Sequence, residues 1–205
     1  MPIDVDLARI AASGVVPRLL LHCCCAPCAS YVIEYLSPYF DITVLFYNPN
    51  IRPRAEYDKR RAELLRLLAC VSHPHPKEGN CGYDGDSFEA VAAELWDEPE
   101  GGRRCLACFD LRLDETARRA REGGFDYFAT TLTVSPHKDA AAINDIGAKA
   151  ADKHGVNYLR SDFKKRGGYN RSIELSRQFG LYRQTYCGCS ATPVIARSEA
   201  TRQSS

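Results

Sequence analysis

Apolar positions along the chain switch repeatedly between short continuous runs and a helical period. Residues 18–22, RLLLH, form a brief apolar run, the pattern of a strand buried on both faces. Residues 26–36 then space their apolar side chains as a helix does, with Pro27 tolerated in the first turn. Residues 41–47, DITVLFY, read as a second buried strand, and 54–69 as an amphipathic helix whose charged face carries Arg60, Arg61 and Glu63. The stretch 71–86 is rich in Pro, His and Gly without a period, which predicts a loop. Beyond it the pattern predicts a short helix over 87–95, a longer one over 104–122 stopped by Gly123 and Gly124, and a strand over 127–132. A helix over 140–154 ended by Gly155, a short strand at 158–159 and a helix over 171–179 ended by Gly180 complete the series. This alternation predicts an α/β fold with an open parallel sheet flanked by helices.

In such a sheet, ligands bind beyond the carboxyl ends of the strands. Segments 23–28, 48–53, 133–138 and 161–165 each follow a predicted strand, so one composite site is expected there. No internal repeat is visible. The length fits one domain over 1–190, followed by a small, polar, aperiodic tail over 191–205.

Lys and Arg number 27 against 26 Asp and Glu, a formal charge of +1, so any nucleic-acid surface must be a local patch. The first residues, MPIDVDLARIAASG, carry acids and lack both a basic leader and a long apolar run. A cytoplasmic protein without a membrane span is expected. In that reducing compartment, ten cysteines point to metal binding or redox catalysis rather than disulfides.

Seven of the thiols fall in three groups: Cys24, Cys25 and Cys28; Cys105 and Cys108; Cys187 and Cys189. Cys105 and Cys108 share one face of a helix, and Gly188 permits a tight turn that aims its flanking thiols at one centre. Adjacent Cys24 and Cys25 are expected to diverge, and so to serve two neighbouring centres. Seven thiols exceed the four that a structural zinc or a single cubane requires, so a metal site at the carboxyl ends of the strands, made of a cluster and a nearby mononuclear metal, fits the count. A lone C-x-x-C is a weak signal, and the segment 25–28 alone also fits a thioredoxin-like dithiol between strand and helix. That reading leaves the other two groups without a purpose. Cys23, Cys70 and Cys81 lack such partners and are read as inert.

From Arg18 to Cys189 the sequence resembles the QueH-type epoxyqueuosine reductases, through LLHCCCAPC, FYNPNIRPRAEYDKRRAE, EPEGGRRCLACFDLRLDETA, FATTLTVSPHKD and SDFKKRGGYNRSIELSRQFGLYRQTYCGC. The resemblance implies a HUP or PP-loop-like α/β domain holding a 4Fe-4S cluster and an adjacent iron ion. The family's ligand motif maps onto Cys24, Cys25, Cys28, Cys105, Cys108, Cys187 and Cys189, with an aspartate at the position of Cys28 in some relatives. It further implies a tRNA substrate carrying epoxyqueuosine in the anticodon loop and an external electron donor. No phosphate-binding G-x-x-x-x-G-K-[ST] occurs, which argues against an ATP-dependent tRNA thiolation enzyme. A zinc-stabilised RNA-binding module is the non-enzymatic alternative. Relatives tend to run another strand through the region of 72–81.

Opening an epoxide to an alkene takes two electrons, two protons and a leaving oxygen that must be protonated or metal-bound. Asp84, His137 and His22 are the candidate acids, although His22 also fits a core histidine and Asp84 a turn cap. For RNA, the segment 160–183 concentrates Arg160, Lys164, Lys165, Arg166, Arg171, Arg177 and Arg183, interleaved with Phe163, Tyr169 and Tyr182 that would stack on splayed bases.

Overall fold

In the computed structural model, residues 3–71, 76–79 and 82–189 are described. The elements are α1 (Ile3–Ser13), β1 (Arg18–His22), α2 (Ala26–Leu36), β2 (Asp41–Leu45), α3 (Arg54–Cys70), β3 (Lys77–Gly79) and α4 (Gly85–Ala92). Then come α5 (Arg103–Glu122), β4 (Tyr127–Thr130), a 3-10 turn (Thr131–Val134), α6 (Ala140–His154), β5 (Asn157–Tyr158) and α7 (Gly168–Gln178). The five strands are all parallel in the order β3-β2-β1-β4-β5. The chain therefore grows outward from β1 to β3, returns through α4 and α5, and restarts at β4 beside β1. The carboxyl ends of β1 and β4 form the switch point, where the flanking loops part and leave a crevice.

Why RLLLH is apolar at nearly every position follows from the two layers. Leu19 and Leu21 enter the core under α2 and α3 with Ile42, Val44 and Ala129, whereas Leu20 points to the opposite face with Leu45, Phe128 and Ala117 of α5. Both faces of β1 are covered, so alternation disappears. Leu21 is fully buried, and truncation to Ala there is expected to cost about 2–5 kcal/mol. On one face α7 lies against α2, close enough that a side chain at Gly168 would collide with Tyr31 and the Phe163 carbonyl.

Several boundaries differ from the sequence pattern. The predicted loop 71–86 contains β3, a polar edge strand of three residues paired with β2, too short to carry a period. The strand expected to reach residue 132 stops at Thr130, whose Oγ1 accepts from the Leu132 N–H at 3.2 Å and turns the chain. The second strand ends at Leu45 rather than 47. Helix α4 begins at Gly85, capped by Asp84, and α7 at Gly168, three residues earlier than periodicity indicates. Cys81 and the expected tail lie outside the described residues. No helix among the described residues is long and apolar enough to cross a membrane.

Candidate metal centre

The loop after β1 delivers three thiols at once. Cys25 is the N-cap of α2 in extended conformation, Cys28 follows within the first turn, and Cys24 is fixed from the 3-10 turn after β4, its N–H donating to Thr131 Oγ1 at 3.2 Å. The sulfurs of Cys24 and Cys25 lie 3.8 Å apart, and with Cys28 all three fall within 4.8 Å of one another. Neighbouring side chains were expected to diverge. They converge because the chain turns from strand into helix between them, and extended alternation no longer applies. Tetrahedral coordination at a metal–sulfur distance of about 2.3 Å separates ligand sulfurs by about 3.8 Å, so this triad suits a single ion.

The other four thiols meet at a cavity of about 220 Å³ lined by Cys105, Cys108, Cys187 and Cys189. Cys105, Cys108 and Arg112 sit at i, i+3 and i+7 on one stripe of α5. Cys187 and Cys189 flank Gly188, whose φ of +115° disfavours any side chain. Its carbonyl accepts from the Arg52 N–H at 2.9 Å, and the buried Arg60, paired with Glu56 at 2.7 Å, donates to the Cys187 carbonyl at 3.0 Å. A second, adjoining cavity of about 100 Å³ contains Cys24 and Cys187 and shares Arg112, His137, Lys138 and Glu100 with the first. All three cysteine segments thus open onto one crevice at the switch point.

Charge in this crevice is one-sided. Hydrogen bonds from Cys25 and Cys28, with the Lys138 ammonium nearby, hold Cys24 well below the usual thiol range. Cys187 is held low by the Cys189 thiol, and by Lys138 and Arg112. Sharing their protons with these thiolates pushes Cys28 and Cys189 up and raises Cys25 to about 12, while burial raises Cys108 to about 11. The Gly101 N–H also donates to the Cys105 sulfur at 3.2 Å. Burial opposes the charge on Lys138, yet the thiolates of Cys187, Cys24 and Cys28 hold it above the ordinary lysine value. Arg112 is 2% exposed and hydrogen-bonds only the Cys108 carbonyl and Asn48, leaving Nη2 without a partner. Two cations placed among soft sulfur donors, with no carboxylate paired to either among the described residues, fit an anionic metal–thiolate group. Arg112 was legible in the stripe 105, 108, 112; Lys138 had no such signal.

Of the candidate acids, only His137 lines both cavities. His22 is fully buried beneath them, its ring between Thr130 Oγ1 at 2.8 Å and the Tyr47 carbonyl at 3.0 Å. Burial and then the Arg112 charge press it down to about 4. Asp84 caps α4, bonds Ser87 and Tyr47, and is held below the usual carboxylate range mainly by Ser87. It lies in a separate pocket with Glu115 and Arg119. Cys23 is fully buried with a thiol pushed up by burial, and Cys70 is exposed at the end of α3.

The expected RNA patch is largely neutralised from within. Arg160 pairs with Asp145, Lys164 and Lys165 with Asp162, Arg166 with Asp4, and Arg171 with both Glu34 and Glu174. Arg183 donates to Ser172 and Ser176. Phe163 is 3% exposed in the core and cannot stack on a base. A better stacking platform is Trp96, 37% exposed, with Arg52 and Arg104 over its ring and its edge against Phe88. Phe88 and Arg104, which Trp96 contacts, both line the larger cavity.

An open parallel α/β sheet with cysteines from three segments gathered at its switch point defines an α/β protein with a candidate metal site. The comparisons specify it further. The family model for epoxyqueuosine reductase QueH matches residues 19–193. The Streptococcus pyogenes serotype M1 protein named epoxyqueuosine reductase QueH is 48% identical over 182 residues, covering 86% of this chain and 70% of that protein. A namesake from Staphylococcus epidermidis is 44% identical, covering 86% and 76%, and one from Thermotoga maritima 36% identical, covering 83% and 88%. The chain belongs to the epoxyqueuosine reductase QueH family.

Proposed function

We infer that this protein reduces epoxyqueuosine in tRNA to queuosine, converting the epoxide of the modified base into an alkene with two electrons and two protons and releasing the oxygen as water. The observation that carries this reading is the convergence of thiols from 24–28, 105–108 and 187–189 on one crevice, in a chain of this family. Cys24, Cys25 and Cys28 would hold an iron ion, and Cys105, Cys108, Cys187 and Cys189 a 4Fe-4S cluster, supplying Lewis acidity and single electrons respectively.

The chain's own side chains do the rest. The neighbouring thiols hold Cys24 and Cys187 low, with Lys138 beside both and Arg112 beside Cys187 adding to the effect and offsetting negative charge in the crevice. His137, exposed and bordering both cavities, is placed to deliver a proton to the departing oxygen. The partly exposed Trp96 offers a stacking surface to an anticodon-loop base. Electrons would come from an external donor.

Anaerobic reconstitution with iron and sulfide, followed by chemical reduction and mass analysis of nucleosides from epoxyqueuosine-containing tRNA, tests the reading. Loss of one oxygen atom from the nucleoside is the expected result. A colourless, zinc-only protein that leaves the nucleoside intact would refute it.

A further inference from the structure

Two residues lining the smaller cavity carry amide oxygens without a hydrogen-bond partner among the described residues. Asn50 is 1% exposed, yet its Oδ1 accepts no hydrogen bond, and Gln184 Oε1 is likewise buried and unmatched. Both residues line the cavity that also holds Cys24 and Cys187. More than nine in ten buried polar groups in folded proteins are satisfied, and leaving one bare costs about as much as a hydrogen bond contributes. Two residues with bare acceptors bordering one small space fit a ligand that brings donors.

The chain holds each acceptor in place. Asn50 lies in the loop after β2, where the Ile51 N–H donates to the Asn48 carbonyl at 3.1 Å and the Arg52 N–H to Gly188. The Gln184 side chain reaches Cys25, so its oxygen is presented beside the metal-binding thiols. Arg60, Arg112 and Lys138 line the same cavity. Arg60 is paired with Glu56, and Glu100 lines the cavity as well, so a neutral hydroxyl can donate to these oxygens without disturbing the charges already present.

We propose that Asn50 and Gln184 form a subsite for the vicinal hydroxyls of the cyclopentane ring in epoxyqueuosine, their carbonyl oxygens accepting from the two O–H groups. Resting on the functional reading above, this makes the pair specificity-determining: it registers the ring beside the thiols, and the purine-like base and the RNA are gripped elsewhere. The metal-loaded, oxidised enzyme then binds tRNA carrying queuosine, which keeps the diol and lacks the epoxide, more tightly than the same tRNA carrying 7-aminomethyl-7-deazaguanine, which has no ring.

The experiment measures both affinities by fluorescence titration for the wild type, Asn50→Leu, Gln184→Leu and Gln184→Glu. Each leucine variant is expected to lose about tenfold in affinity for the queuosine tRNA and little for the ring-less one. Gln184→Glu, which keeps an acceptor oxygen, restores the preference. Iron content and visible absorbance are recorded for every variant. Equal loss on both tRNAs would overturn the proposal, because the amides would then read the base. Loss of iron or absorbance in the leucine variants would also overturn it, because the amides would then serve the metal group. If Asn50→Leu fails to fold, the half-buried Gln184 pair decides alone. Turnover of epoxyqueuosine by the wild type tests the functional reading separately, so the two fail in distinguishable ways.

Discussion

Acid should destabilise the metal-free protein through a single core histidine. The Tyr47 carbonyl can only accept, so His22 Nε2 must carry the proton in its 3.0 Å contact. With Nε2 protonated in the neutral ring, Nδ1 accepts from the Thr130 hydroxyl at 2.8 Å. Burial, and after it the Arg112 charge, press the group from 6.5 down to about 4. As pH falls through 6.5 the unfolded chain takes up a proton that the folded chain refuses until about 4, so stability present at neutral pH is lost across that window. The separation corresponds to roughly 3 kcal/mol at full development, a large part of an ordinary folding free energy. Urea unfolding of wild type and His22→Gln, run from about pH 7 to about pH 4, isolates the contribution as a difference in slope. The wild type is expected to lose roughly 3 kcal/mol more than the variant over that range. Parallel slopes, or an imidazole resonance titrating near 6.5, would show that the ring is solvated and the reasoning wrong.

Gly188→Ala puts a Cβ 3.2 Å from Ile51 Cγ1 and 3.3 Å from Arg60 Nη1 at a φ of +115°. A cost of about 1–3 kcal/mol is expected, seen as a Tm drop of about 2–4 °C per kcal/mol and reduced iron per chain on reconstitution. Lys138→Met removes the ammonium facing Cys24 and Cys187, and alkylation of the metal-free protein near neutral pH should slow about tenfold at those thiols, read by peptide mass mapping. Trp96→Ala should weaken tRNA binding about tenfold or more, whereas Arg171→Ala, whose guanidinium is already committed to Glu34 and Glu174, should change it by less than about threefold in a filter-binding titration.

Where the sequence was legible, burial was simple. The bounds of β1, α2 and α6 match the apolar pattern because those elements are covered on defined faces and, for α6, because Gly155 at φ +67° stops the helix. Helix α1, which buries only Leu7 and Ile10, carries too little apolar signal to stand out. The cysteine groups were legible from spacing, but not the approach of Cys24 to Cys25, which depends on a change of backbone conformation between adjacent residues. His22 and Asp84 were attractive for their position beside motifs. Sequence position fixes neither direction nor depth: period two on β1 sends His22 to the face of Leu20, into the core. The pairing of the basic patch was not legible, because its acids Asp4, Glu34 and Asp145 come from distant segments.

The charged face of α3 also means something different in three dimensions. A helix with Glu56, Arg60, Glu63 and Arg66 along one side reads as a solvated surface. Here that stripe grips the last described segment, which has neither helix nor strand of its own. Arg66 donates to the Phe179 and Gly180 carbonyls, Glu63 accepts from the Tyr182 N–H, Glu56 accepts from the Tyr182 hydroxyl, and Arg60 donates to the Tyr186 and Cys187 carbonyls. Successive turns of the helix thus hold successive residues of the segment, and the grip ends at the two thiols that the centre needs. Polar contacts of this kind are individually weak in water, and several of them are exposed. They therefore position Cys187 and Cys189 without locking them, and metal ligation would contribute the remaining ordering of the segment. Folding of 181–189 and loading of a metal at these thiols would then be one linked equilibrium, with α3 setting how much of the ordering is complete beforehand.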